Sequence, residues 1–376
     1  MTDPLLPEPD RVEGAPHPRD TRQLIGQAGA EAAFLDAHRK NRLHHAWLLS
    51  GARGVGKATL AWRIARFLLN DPATEGTDLP GMPAPNSLDI PDDNPVSRRI
   101  SALSEPRLFL LRRAWDEDRK QLKTVITVDE VRKLRNFFAL SAADGGHRVV
   151  IVDDADELNS SAANALLKLL EEPPEGAVLL LISHRPSGLL PTIRSRCRTL
   201  RLSALAPEEM ALALTAAGAD TQDTNAAALA TLASGSVGEA LRLLNLGGLA
   251  TYQDIVALFA TLPSLDRPRL LKLAESAVGK AAAPRFELML GLFDLFLARL
   301  ARSGAAGPPL MEAAQGEARL FARLAPTAES GRAWAELQQQ LGARARHGRA
   351  VNLDPAALIL DMGFRIDEAA AKWAAR

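Results

Sequence analysis

A glycine-rich heptapeptide, Gly51-Ala-Arg-Gly-Val-Gly-Lys57, stands between the apolar run His45–Ser50 and a helical pattern over Ala58–Leu69. Few folds accept such a sequence. Glycines let backbone N–H groups turn inward around phosphate oxygens, the start of a helix adds the positive end of its dipole, and a lysine at the seventh position reaches the outer phosphates. The arrangement predicts a strand, a phosphate loop and a helix in that order, with Gly51, Gly54, Gly56 and Lys57 as candidate nucleotide-binding residues. A glycine-rich turn that only joins strand to helix is the bland alternative for the same residues.

The neighbouring sequence extends the same architecture. Short apolar runs at Arg107–Leu111, Val149–Val152, Ala177–Ile182 and Thr199–Leu202 alternate with helical patterns at Val128–Leu140 and Ser160–Glu172. That alternation predicts βαβ units and a parallel sheet, and the continuous apolar character predicts strands buried on both faces. Thr127 and Glu130 have the spacing of a capping box. After Leu202 the apolar spacing turns helical, with a start at Pro207-Glu-Glu209 and a break at Gly247-Gly248. From residue 251 onward prolines at 263, 284, 309, 326 and 355 punctuate a further helical pattern, as in an all-α bundle. The expected organisation is a leader over 1–20, an α/β domain over 21–203, a small helical domain over 204–248 and a helical domain over 249–376.

Two stretches stand outside these elements. The first twenty residues hold five prolines and several acids without an apolar core, so they are expected to be disordered and not a signal peptide. A proline-rich stretch over 71–97 is expected to be a mobile surface insertion. Lysine plus arginine equals aspartate plus glutamate at 45 each, so no global field would hold DNA or an anionic membrane. Any contact with nucleic acid must be local or shared. The single cysteine, Cys197, excludes an intrachain disulfide and a multi-cysteine metal site and fits a reducing compartment, with the cytoplasm as the default. Without a cysteine-histidine arrangement it reads as a small buried residue. The pair His44-His45 likewise lacks a ligand set and reads as packing or hydrogen bonding.

The phosphate loop departs from an ATPase in its metal ligand. Position 58, where a hydroxyl would meet Mg²⁺, is alanine; Thr59 is the nearest hydroxyl in the candidate set, but one residue late it turns about 100° away. The run Val149–Asp154 has the form of a Walker B strand, with Asp153 placed to hold a metal-bound water. Asp154 occupies the place of a water-orienting glutamate and is one methylene shorter, which impairs in-line attack. A solvated acidic strand end is the alternative for this pair.

Taken together, Leu43-His-His-Ala-Trp-Leu-Leu49, Gly51–Lys57, Asp153-Asp-Ala-Asp156, Asn164–Pro174, Ser195-Arg-Cys197 and Val351-Asn-Leu-Asp-Pro355 resemble the AAA+ clamp-loader family of bacterial DNA polymerase III, in its delta-prime group. The resemblance runs from about Leu24 to Leu202, with the last motif near the chain end. It implies an α/β P-loop (AAA+) domain, a helical lid and an all-α C-terminal collar. It also implies assembly with gamma/tau and delta subunits into a machine that opens the sliding clamp and places it on primer-template DNA, away from any membrane.

Within that resemblance Arg196 stands where an arginine finger is offered in trans to a neighbour's ATP, a role suited to a planar, permanently charged guanidinium. Without it, Arg196 reads as one of several surface arginines beside Arg194 and Arg198. Relatives that carry zinc hold it on four cysteines after the first helix, and this chain has none there, so zinc is not expected. A sensor arginine is replaced by Gly238, with Arg242 one turn on. Ala58, Asp154 and Gly238 together imply a stator that assists loading and runs little ATPase of its own, so ATP or ADP in cis is doubtful. The alternative is an autonomous P-loop ATPase, a gamma/tau-like motor or a helicase loader, using Lys57 and Asp153 in cis.

Overall fold

The computed structural model describes residues 8–9, 11–12, 14–70, 85–140, 146–219, 223–279 and 282–374. The chain divides into two units, residues 1–219 with 235–238, and residues 220–234 with 239–376. Residues 204–219, expected to open a lid domain, thus cluster with the α/β unit.

The first unit begins with α1 (Ala28–Arg39), β1 (Ala46–Ser50), α2 (Lys57–Leu69), α3 (Pro95–Ser101) and β2 (Leu108–Arg112). It continues through β3 (Trp115–Asp116), β4 (Gln121–Leu122), α4 (Val128–Leu140), β5 (Arg148–Asp153), α5 (Ser160–Glu171) and β6 (Ala177–Ser183). The short α6 (Pro191–Arg194), β7 (Arg198–Arg201) and α7 (Pro207–Ala216) follow. Five strands form one parallel sheet in the order β2-β5-β6-β1-β7. Order and direction are those of an α/β P-loop fold of AAA+ type.

Successive side chains along a strand leave by opposite faces, and both faces are covered. Trp47, Leu49, Val149, Ile151, Leu180 and Ile182 pack with α1, α2 and α3. Ala46, Leu48, Val150, Val152, Leu179 and Leu181 pack with α4 and α5. All five residues of β1 and all seven of β6 are buried, as the uninterrupted apolar runs predicted. The antiparallel pair β3–β4, joining Trp115 to Leu122 and Asp116 to Gln121, was not anticipated. Two residues per strand are too few for any periodicity.

The two irregular stretches need correction in their described parts. Glu8, Arg19 and His17 of the supposed disordered leader form an ordered cluster: the Glu8 carboxylate accepts from Arg19 at 2.7 Å and from Arg112 at 3.1 Å and meets His17 at 3.2 Å. His17 is buried with its ring edge-on to Trp62, so ion pairing and an aromatic contact replace the missing aliphatic core. Within the stretch 71–97, residues 71–84 lie outside the described residues, but Leu88 is buried and Asn94 caps α3 through Val96 N at 2.8 Å. Its C-terminal part belongs to the core of the α/β unit.

The second unit contains α8 (Asp223–Ala233), most of α9 (Val237–Asn245), α10 (Gly248–Phe259), α11 (Arg267–Glu275), α12 (Ala283–Ala306), α13 (Glu317–Leu324), α14 (Ala328–Ala350) and α15 (Pro355–Ala374). Pro284 and Pro355 sit in first turns, where a missing N–H costs nothing, so they open helices. Phe259, Phe293, Phe296 and Phe321 form an aromatic core. At the crossing of α12 and α14 a Cβ on Gly304 would lie 2.7 Å from the Gly331 Cα, an approach that only glycine allows. Beside this core the fully buried Glu317 carboxylate accepts from Arg299 Nε at 2.7 Å, Arg299 Nη2 at 2.9 Å, Ala313 N at 2.8 Å and the Tyr252 hydroxyl at 2.5 Å. Burial raises the Tyr252 phenol, and the neighbouring Glu317 charge adds to the effect.

Candidate functional site

The loop after β1 leads into α2 through Gly56, whose left-handed φ of 99° sets the helix start. Lys57 is only 3% exposed and donates Nζ to the carbonyls of Gly51 at 2.8 Å and Ala52 at 2.6 Å. Burial pulls its amine down to about 8, against the charges of Asp154, Asp156 and Asp153, which act to raise it. The lysine is thus folded back onto the loop that precedes it. Ala58, in the first turn of α2, packs against the core and has no side-chain oxygen, and Thr59, half-buried, follows it on the helix. The loop's sequence suits a phosphate, whereas the set of metal ligands is incomplete.

The carboxylates at the end of β5 lie beside the end of β6, because Val152 is in register with Leu181. Asp154 accepts from Asp156 N at 2.9 Å and pairs with His184 Nε2 at 2.9 Å. Burial raises its carboxyl, but these partners outweigh burial and hold it below the usual value. Asp156 in turn accepts from Ser183 Oγ at 2.7 Å, His184 N at 2.5 Å and Arg185 N at 3.0 Å. The acids are thus oriented by this chain's own donors. Sequence reasoning missed His184. The signal available was a polar pair, Ser183-His184, directly after the apolar run of β6.

Residues 235–238 close on the loop. Ser236 Oγ donates to the Arg53 carbonyl at 2.7 Å, and Gly238 N donates to the Gly54 carbonyl at 3.1 Å. A Cβ on Gly238 would lie 3.0 Å from the Gly54 Cα. This approach gives a physical reason for glycine at the position where the resemblance implies an arginine. Arg242 pairs with Glu239 on its own helix, at 3.1 Å.

Arg196 is separate from all of this. It follows α6 and precedes β7, which runs parallel to β1 with Trp47 opposite Arg198. Lys57 follows the C-terminal end of β1 and Arg196 precedes the N-terminal end of β7, so the two residues flank opposite ends of the paired strands, whose registered stretch Trp47–Ser50 spans about 10 Å at roughly 3.3 Å per residue. Arg196 is partly exposed, with Nη2 on Glu171 Oε1 at 2.8 Å and Nη1 on the Thr192 carbonyl at 3.1 Å. Next to it, burial pushes the Cys197 thiol up to about 12, which removes thiolate chemistry at neutral pH. His44 and His45 stack at 4.4 Å, and His45 Nε2 meets the Leu170 carbonyl at 3.0 Å, a packing arrangement.

Among the described residues no group of three or more His, Cys, Asp or Glu side chains could hold a metal ion. No described helix is long and apolar enough to cross a membrane.

Comparison with known proteins relates part of the chain to a family. Residues 26–206 match the family model described as DNA polymerase III, delta subunit. The chain is similar to the DNA polymerase III subunit delta' of Pseudomonas aeruginosa, 40% identical over 155 residues that cover 41% of each protein. It is also similar to the DNA polymerase III subunit gamma of Buchnera aphidicola, 28% identical over 261 residues and 65% of each chain. The chain spans less than two thirds of either relative. Among solved structures, the DNA polymerase III gamma subunit-related protein of Thermotoga maritima is 18% identical, covering 90% of this chain and 99% of that one with a TM-score of 0.41.

Proposed function

Residues 26–206 belong to the DNA polymerase III delta-subunit family, and from that premise we propose that the whole chain is a delta-prime-like stator of the clamp loader. In this reading it joins gamma/tau and delta subunits and helps place the sliding clamp on primed DNA. It contributes Arg196 to a neighbour's ATP and has little or no ATPase of its own. A helical lid and a C-terminal collar, divided near residue 248, complete the proposal.

One observation carries this reading: Arg196 and Lys57 lie at opposite ends of one parallel sheet. An arginine so placed cannot serve the phosphates of its own loop and is offered outward, held by the exposed Glu171. Any nucleotide held in cis would rest on Gly51, Gly54, Gly56 and Lys57, with Asp153 and Thr59 as the remaining polar groups. ATP or ADP there is compatible with the loop, but Ala58 supplies no metal ligand, and Asp154 is engaged by His184.

The intact loop sequence favours the second reading, an autonomous ATPase of gamma/tau type. Reconstitution separates the two. Arg196→Ala is expected to lower the clamp- and DNA-stimulated ATPase of the assembled loader by about 10³-fold or more at the site it serves, with assembly intact; unchanged turnover in that complex refutes the stator reading. Robust ATP hydrolysis by the isolated chain, lost in Lys57→Ala, would establish the second.

A further inference from the structure

Away from the phosphate loop, α2 borders an open cavity of about 330 Å³ lined by Leu88–Asp92 and by Arg22 and Gln23. Two arginines of α2, Arg63 and Arg66, face it. Arg63 is fully engaged: Nε donates to Glu31 at 2.7 Å, Nη2 to Asp89 at 2.8 Å and Nη1 to the Arg22 carbonyl. Arg66 is different. Only 2% exposed, it lines the cavity with Nε and Nη2 buried and without a hydrogen-bond partner among the described residues. Arg22 Nη1 is in the same condition, while Arg22 Nε holds Asp92 at 2.5 Å.

Burial pulls the Arg66 guanidinium down to about 10, assisted by Arg22 and Arg63 and opposed by Asp20 and Asp92. It stays charged at neutral pH. The acids around the cavity are committed to other cations, Asp89 and Glu31 to Arg63 and Asp92 to Arg22. A buried donor left unpaired is destabilising, and more so when it is charged. The three unused guanidinium nitrogens belong to two arginines that line the cavity, and guanidinium N–H groups match the acceptors of a tetrahedral oxyanion.

We propose that this cavity is an oxyanion site that takes a phosphate group, free or as a monoester, on the unused N–H donors of Arg66 and Arg22. It is not the phosphate loop, because Arg66 lies about 13 Å along α2 from Lys57 at roughly 1.5 Å per residue.

The test titrates the full chain with inorganic phosphate in a chloride-balanced buffer, by calorimetry or ³¹P line broadening, and repeats the titration with adenosine monophosphate. Saturable binding is expected to weaken by about tenfold or more in Arg66→Met and in Arg22→Gln, the loss of one charge-assisted contact, and to persist in Lys57→Ala. Equal affinity for the two probes identifies free phosphate as sufficient, and tighter binding of the nucleotide identifies a monoester; both support the site. No binding of either probe above chloride, retained affinity in Arg66→Met, or loss in Lys57→Ala overturns it. Without phosphate, Arg66→Met is expected to melt above the parent chain, since it removes an unpaired buried cation. Should that variant fail to fold, the Arg22→Gln titration decides.

Discussion

Gly238 donates its backbone N–H to the carbonyl of Gly54, inside the phosphate loop, over 3.1 Å. A Cβ on Gly54 would lie 3.0 Å from the Gly238 backbone and 2.3 Å from Ser236 Oγ. Alanine at 238 is expected to destabilise the α/β unit by about 1–3 kcal/mol, as overpacking does, and arginine by at least as much. Urea denaturation measures this; an unchanged midpoint for Gly238→Arg would show that the contact yields freely.

Lys57 gives a pH signature. Its folded pKa of about 8 lies below the ordinary 10.5, so the unfolded chain binds the extra proton between these values. Stability therefore rises as pH climbs from about 8 to 10.5, and at neutral pH the charged lysine is a net cost on the order of 1–3 kcal/mol. Lys57→Met is expected to be more stable than the parent at pH 7, with the advantage shrinking toward pH 10.5. A pH-independent difference in melting temperature would count against this account.

For Glu171 the expectation is a small effect on stability. Its pair with Arg196 at 2.8 Å is partly solvated on both sides, and such pairs contribute about 0–1 kcal/mol. Glu171→Gln should unfold within that margin of the parent while releasing Arg196 from its tether. A loss several times larger in a denaturant titration would give the pair a structural role instead.

In the helical unit the Glu317 cluster should behave in the opposite way. Glu317→Ala strands Arg299 inside the unit, and breaking a buried ion pair from one side costs about 3–5 kcal/mol. Tyr252→Phe removes one hydrogen bond to the carboxylate and is expected to cost about 1.5–3 kcal/mol. Near-equal losses in chemical denaturation would mean that the ion pair itself contributes little.

What the sequence disclosed was local. The strands at the centre of the sheet were legible because runs such as Ala177–Ile182 are apolar without interruption, and α2 because a glycine loop precedes an apolar helical repeat. What stayed hidden was nonlocal or short. His184 reaches Asp154 only because β5 and β6 pair in one register, and Ser236 reaches Arg53 across the chain from residue 236 to residue 53. The burial of Arg63 and Arg66 left a faint trace, two arginines three apart on an otherwise apolar helix, which reads as a solvated stripe until Leu88 covers it. Glu317 left none, since one acid at a helix start looks like an ordinary favourable charge at the dipole end.

The placement of Lys57 and Arg196 at opposite ends of the strands gives the α/β unit a head and a tail. A contact joining the loop of one such domain to the arginine of the next pairs two different surfaces, so it is heterologous and not two-fold. Such contacts either run on as a filament or close as a ring. If an arc of them stops, one end subunit leaves its arginine unused and the other its loop.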